Sequence, residues 1–121
     1  MTILWIALGG ALGSAARFIV SQWLGKLAGA APVGILGVNV LGSFAMGLAA
    51  AVLFARTDAS RATPFLITGF LGGFTTFSAF SLDAVRLWEE AKFAALAYIV
   101  ASVILSILAL LAGLAAGRSL T

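Results

Sequence analysis

The polar side chains best suited to contact a solute lie inside long apolar segments of this chain. Asn39 has Ser43 one helical turn later, and an amide can donate two hydrogen bonds. Tyr98, Ser102 and Ser106 follow one another at intervals of four residues, which places their hydroxyl groups on one face of a helix. These groups offer hydrogen-bond donors without a fixed acid. The pattern therefore favours a small dehydrated anion over a cation.

The segment Thr68–Ser81 contains a Gly-Gly pair followed by two threonines, which is a poor helix-forming sequence. A break here would free backbone carbonyl groups near the middle of a membrane, where they can coordinate a cation. The alternative is a glycine kink relieved by the threonine hydroxyls. Phe77 and Phe80 follow on one face, and the edge of a phenyl ring carries the positive part of its quadrupole.

Each of these residues also has a purely structural explanation. An intramembrane Asn often bonds a neighbouring helix, a Ser often bonds a carbonyl of its own helix, and a Phe usually fills the core or faces lipid. Arg17, in the second half of the first apolar segment, would either attract anions to a vestibule or extend to the membrane interface.

The elements that position these residues follow from composition. A chain of 121 residues that is 63% hydrophobic and 9% charged has more apolar surface than a soluble domain of this size can bury. Crossing a bilayer requires about 20 mainly apolar residues. Four segments meet this length: Ile3–Leu24, Val33–Ala55, Pro64–Glu89 with a break near 72–76, and Phe93–Gly117. The sequence thus predicts an all-α membrane protein, with residues 1–121 as one transmembrane domain.

The charged residues exclude several functions. The chain has no Cys or His, and its four carboxylates stand apart from any nucleophile, so we expect no enzymatic activity. Basic residues are balanced between the two sides of four spans: Arg56, Arg61 and Arg118 on one side, Lys26, Arg86 and Lys92 on the other. Without a positive-inside bias a chain can insert in both orientations. The sequence therefore predicts dual topology, and the net charge of +3 does not indicate nucleic-acid binding.

Pairs of small residues at helical spacing recur along the chain. They are Gly9 with Gly13, Gly69 with Gly73, and Gly113 with Gly117. Such pairs allow helices to approach closely. They serve either ordinary packing within one chain or the pairing of two opposed copies. No internal repeat is visible, and an antiparallel homodimer would generate the inverted symmetry that many transporters contain within one chain.

Three runs together resemble one known family. The run Gly69–Ser81 is similar to the GFLGGxTTFSTF signature of the Fluc fluoride channels, also called CrcB proteins. Gly9–Phe18 resembles the GGxxGxxxR pattern of that family's first helix, and Val38–Phe44 resembles part of its second. The fourth apolar segment is matched mainly through Tyr98, Ser102 and Ser106.

This resemblance implies a dual-topology homodimer with two antiparallel pores, in the bacterial inner membrane, through which fluoride leaves the cytoplasm passively. It implies that Asn39, Phe77 and Phe80 contact fluoride. It also implies that Ser102 and Ser106, with a contribution from Tyr98, form a polar track, and that Arg17 lies near the pore entrance.

The resemblance further implies a structural sodium ion at the centre of the dimer, held by the backbone carbonyls of Gly72 and Thr75 from both subunits. Hard oxygen ligands suit this ion. One position departs from the family: Ile35 stands where relatives often have Thr. Asp83 has no assigned role in the site, and we expect it to cap a helix or pair with Arg86 rather than bind fluoride.

Two other classes of function remain open. A small multidrug-resistance transporter is also a four-helix antiparallel dimer, but it needs a carboxylate in its first helix, and this chain has none there. A structural subunit of a larger membrane complex would explain the glycines. It gives no reason for the Gly-Gly-Phe-Thr-Thr-Phe sequence in the middle of a span.

Overall fold

The computed structural model describes residues 1–56, 58 and 61–121, and its regular elements are all helical. They are α1 (Thr2–Ala28), α2 (Ala31–Phe54), a π-helix (Thr63–Leu71), α3 (Gly72–Phe74), α4 (Ser78–Glu90) and α5 (Lys92–Ser119). The π-helix, α3 and α4 together form the third span, Thr63–Glu90. Four stretches are long and apolar enough to cross a membrane, so the prediction of four apolar helical spans is confirmed.

The turn between the first two spans is shorter than the interval between Leu24 and Val33 that the sequence predicted. Helix α1 continues through Gly25 to Ala28 and ends at Gly29, whose φ of 72° is left-handed. The amide of Ala30 donates to the Gly25 carbonyl, which closes the helix end. Pro32 stands in the first turn of α2, a position that needs no amide hydrogen.

Glycines bring α1 against the π-helix. A Cβ atom on Gly9 would overlap the carbonyl oxygen of Phe65, and one on Gly13 would overlap that of Phe70. The backbones of the two helices are therefore in direct contact. This Gly9–Gly13 pair serves packing within the protomer, one of the two roles that its spacing allowed.

Helices α2 and α5 make the most extensive helix–helix contact in the protein. A Cβ on Gly47 would overlap the Leu110 carbonyl, and one on Gly113 would overlap the Phe44 carbonyl. Because the third span returns the chain across the membrane, α2 and α5 start on the same side and run parallel. Gly47 and Leu110 therefore lie at the same depth.

Most large apolar side chains point outward rather than into a core. Val38 is 0% exposed, whereas Phe18 is 66% exposed and Phe93 is 86% exposed. Exposing these apolar side chains to water would be unfavourable, whereas lipid tails are themselves apolar and can surround them. The protein is therefore a multi-pass membrane protein whose outer surface is apolar.

The contact at Gly9 yields a matched test of packing. Gly9→Ala forces the backbones of α1 and the π-helix apart, and we expect it to destabilise the protein by about 1–3 kcal/mol. Gly10→Ala is the control, because its Cβ would lie 3.9 Å from the nearest atom, the Gly69 carbonyl oxygen. Thermal unfolding of the detergent-purified variants measures the difference. Equal midpoints for the two variants would contradict the proposed contact.

Candidate functional site

A groove of about 560 Å³ runs between α2, the third span and α5. It gathers most of the residues that the sequence singled out. From that set, its lining includes Asn39, Gly72, Thr75, Phe77, Phe80, Ser102 and Ser106. Gly42, Ser43, Met46, Thr76, Val103, Ile107 and Leu110 complete the wall. The lining contains amide and hydroxyl groups but no acidic side chain.

Aromatic rings form a continuous series beside this groove. The rings of Phe77 and Phe80 lie 5.5 Å apart at 61°, which is an edge-to-face arrangement. Phe80 in turn lies 5.4 Å from Tyr98. Tyr98 does not line the groove itself but backs it through Phe80, and it is only 8% exposed. Phe77 is 78% exposed, so its ring projects from the protomer.

Two hydroxyl groups on α5 are buried and have no hydrogen-bond partner within the described ranges. They are the Oη of Tyr98 and the Oγ of Ser102. A buried hydroxyl without a partner is costly, and in native proteins it usually meets a ligand or water. Ser106 is half-buried one turn further along. The face of α5 that carries these three residues is therefore able to donate hydrogen bonds to a solute.

The backbone of the third span leaves helical geometry at Thr75. This residue is extended, with φ −82° and ψ 157°, and α4 starts only at Ser78. Thr75 ends α3 by donating two hydrogen bonds to the Leu71 carbonyl oxygen. One comes from the Thr75 amide at 3.0 Å, and the other comes from its hydroxyl at 2.9 Å. Thr76 and Phe77 are consequently free of the regular helical hydrogen bonds that precede them.

The side chain of Asn39 satisfies the backbone at this point. Its Nδ2 donates to the Thr76 carbonyl at 2.9 Å, and its Oδ1 accepts the Thr76 amide at 2.8 Å. The two bonds fix the orientation of the amide, because only the nitrogen can donate and only the oxygen can accept. One N–H of Asn39 is left over, and Asn39 lines the groove. We call this pair of bonds the Asn39–Thr76 clamp.

Thr76 also begins the second half of the third span, a role that the sequence reasoning missed. Its hydroxyl accepts the amide of Ala79 at 3.1 Å and lies 3.3 Å from the hydroxyl of Ser78. Threonine at the start of a helix often binds first-turn amides in this way, so the residue type was a usable signal. Its long-range partner Asn39, 37 residues earlier, leaves no such signal in a single sequence.

These bonds bear on the carbonyl groups of Gly72 and Thr75. In an uninterrupted helix, the Gly72 carbonyl would accept from Thr76 and the Thr75 carbonyl would accept from Ala79. Both amides instead donate to side-chain oxygens. The Thr76 amide donates to Asn39 Oδ1, and the Ala79 amide donates to Thr76 Oγ1. Gly72 is exposed on the protomer surface. The arrangement therefore fits a hard cation, which prefers neutral or charged oxygen ligands.

Arg17 lies outside the groove. It is half-buried on α1 and is not part of the groove wall. Its predicted place at a pore entrance therefore stays a prediction.

Asp83, which was expected to cap a helix or to pair with Arg86, forms no ion pair with Arg86. Both residues line a second cavity of about 590 Å³ that also reaches Tyr98. Within the described ranges, the only ion pair joins Arg56 and Asp58, with Nε and Oδ1 3.4 Å apart. Asp83 also lines a third cavity, of about 450 Å³, together with Lys26 and Ile35. Asp83 therefore borders two cavities, a placement that its i,i+3 spacing from Arg86 did not reveal.

The fold and the groove together define a class: a helical multi-pass membrane protein with a hydrogen-bonding path between its second, third and fourth spans. Comparison with known proteins gives the family. Residues 4–114 match the family model described as CrcB-like protein, Camphor Resistance (CrcB), and the chain belongs to this family.

Curated relatives extend the match to nearly the whole chain. The chain is 54% identical over 120 residues to the fluoride-specific ion channel FluC of Paracoccus denitrificans, covering 98% of this chain and 96% of the relative. It is 50% identical over 123 residues to the protein of the same name in Agrobacterium fabrum, covering 99% and 98%. The family resemblance read from the three sequence runs is thereby confirmed.

The Asn39–Thr76 clamp yields a second test. Asn39→Ala leaves the amide and carbonyl of Thr76 without partners, and each costs about 1–3 kcal/mol. We expect faster hydrogen–deuterium exchange in a peptide covering residues 74–80, measured by mass spectrometry. Ser43→Ala, on the same face of α2 and in the same groove, is the control. Equal exchange in both variants would show that the clamp does not hold this segment.

Proposed function

We propose that this chain is a fluoride-specific ion channel that lets fluoride leave the cytoplasm passively. The observation that carries this proposal is the groove, which combines hydrogen-bond donors with phenyl edges and has no acid in its wall. The names of the curated relatives support the same ion. They also confirm the prediction that the chain is not an enzyme, because these relatives are channels.

A fluoride ion crossing the membrane must exchange its water for other donors, since an isolated ion in an apolar medium is very costly. The free N–H of Asn39 and the hydroxyls of Ser102 and Ser106 are placed along one groove to make that exchange. The ring edges of Phe77 and Phe80 add weaker positive charge. Fluoride is smaller than chloride and can approach such donors more closely. We propose that this difference in size gives selectivity over chloride.

The exposure of Phe77 supports assembly with a second copy. A ring that is 78% exposed beside the groove leaves one wall of the path open in the protomer. We propose that the second copy inserts in the opposite orientation and closes this wall, so that the dimer contains two antiparallel pores. The balanced distribution of Lys and Arg supports dual topology.

The non-helical residues Thr75–Phe77 support the predicted break in the third span. On this proposal, the carbonyls of Gly72 and Thr75 from both subunits hold a structural sodium ion at the dimer interface. Bound there, the ion would supply a fixed positive charge that attracts carbonyl oxygens of both subunits and so stabilises the dimer at the two breaks. Among the residues described here, His, Cys, Asp and Glu form no metal-binding cluster, so carbonyl ligands are the available choice.

The alternative of a small multidrug-resistance transporter is less well supported. Such a transporter requires a membrane-embedded carboxylate in its first helix, and Thr2–Ala28 has no Asp or Glu. The groove wall likewise lacks one. The structural-subunit alternative gives no role to a hydrogen-bonding groove.

The phenylalanine assignment predicts a loss of fluoride flux. Phe80→Ile removes the ring that contacts both Phe77 and Tyr98, and we expect fluoride efflux from liposomes to fall at least about tenfold, corresponding to about 1.4 kcal/mol on the barrier. Phe18→Ile is the control, because Phe18 is exposed on α1 and lies outside the groove. A fluoride electrode records the flux. Unchanged flux in Phe80→Ile, or equal loss in both variants, would refute the assignment.

Dual topology predicts that one loop is found on both sides of the membrane. The chain has no Cys, so Ala91→Cys, between α4 and α5, introduces a single thiol. In intact cells we expect a membrane-impermeant maleimide to label about half of the molecules, because Lys and Arg are balanced between the two sides of the membrane. Detergent-solubilised protein, labelled completely, provides the reference. Labelling of all or none of the molecules in intact cells would contradict an antiparallel dimer.

A further inference from the structure

The hydroxyl series on α5 ends inside the groove. Tyr98, Ser102 and Ser106 recur at intervals of four residues, and the next position on that face is Leu110. Leu110 lines the same groove as the serines. On α2 the polar residues Asn39 and Ser43 are likewise followed by an apolar one in the groove wall, Met46. Both walls therefore change from polar to apolar in the same direction along the groove.

Met46 and Leu110 lie at the same depth in the membrane. A Cβ on Gly47, the neighbour of Met46, would overlap the carbonyl oxygen of Leu110. Because α2 and α5 run parallel, both residues lie at the end of the groove that points toward the two chain termini. We call them the apolar collar. Neither side chain is fully buried, since both stand at the groove surface.

The collar has a consequence for an anion. An ion held by Ser43 and Ser106 has exchanged some of its water for hydroxyl donors. Its next step brings it beside a thioether and an isobutyl group, which offer no N–H or O–H donor. Apolar lining does not replace the water that an ion loses, and hydrophobic segments of channels can oppose ion passage by dewetting. On these two walls of the protomer, the hydroxyl donors therefore end at the collar.

We propose that the apolar collar of Met46 and Leu110 is the rate-limiting barrier to fluoride movement through the groove. This inference rests on the proposed channel function. It assigns the two residues a role in setting the throughput of the pore, separate from the groups that bind the ion.

Extending the hydroxyl series by one turn tests this inference. Leu110→Ser places a donor at the collar, and we expect the initial rate of fluoride efflux from liposomes to rise about tenfold, since one hydrogen bond to an ion is worth at least that factor. The backbone contact with Gly47 involves the Leu110 carbonyl, which this change retains. Met46→Ser is expected to act in the same direction and replaces Leu110→Ser as the test if that variant fails to form a dimer.

Leu111→Ser is the matched control. Leu111 is the next residue on α5, is 54% exposed, and lies outside the groove wall, so its change leaves the rate at the wild-type value. Wild-type flux with no increase in either collar variant would overturn the collar proposal. An equal increase in Leu111→Ser would also overturn it, because the effect would then not depend on the groove. Absence of fluoride flux in the wild type would instead refute the proposed function.

Discussion

The need to satisfy backbone hydrogen-bonding groups inside a membrane governs the structure around the groove. Hydrocarbon offers no partner to a free N–H or C=O, so a span can leave helical geometry only where protein groups replace the lost bonds. Asn39 does this for both polar groups of Thr76. The Thr76 hydroxyl then starts α4 by accepting the Ala79 amide. One side chain on α2 thus permits the irregular segment that ends at Phe77, and Phe80 follows in the first turn of α4.

Close helix packing is the second condition for this arrangement. Glycines on α1 and α2 let their backbones touch the π-helix and α5 respectively, which holds three spans around the groove. Gly42 also makes room for the third span, because a Cβ there would overlap the Thr75 side chain. Lipid does not drive helices together as water does, so such contacts carry much of the stability of a membrane bundle. The polar groove is consequently bordered by closely packed helices.

Much of this account could be predicted from the sequence, because membrane spans depend on length and apolarity. The four spans follow from composition, and the polar groove residues on α2 and α5 follow from the helical period of Asn39, Ser102 and Ser106. Features that depend on contacts between distant residues could not be predicted. The bond between Asn39 and Thr76 joins positions 37 apart. The cavities beside Asp83 depend on how three spans meet, so its spacing from Arg86, which favoured helix capping or pairing, could not reveal them.

The central claim is that the Asn39–Thr76 clamp shapes one ion path in each subunit of an antiparallel dimer, and that the two subunits share one cation site. The most direct test is an experimental structure of the lipid-reconstituted protein in sodium fluoride, compared with one in a salt without sodium. The account predicts opposed protomers, anion density against the edges of Phe77 and Phe80, and a sodium-dependent peak between the carbonyls of Gly72 and Thr75. Parallel protomers, or a third span that is a continuous helix with Asn39 facing lipid, would contradict it.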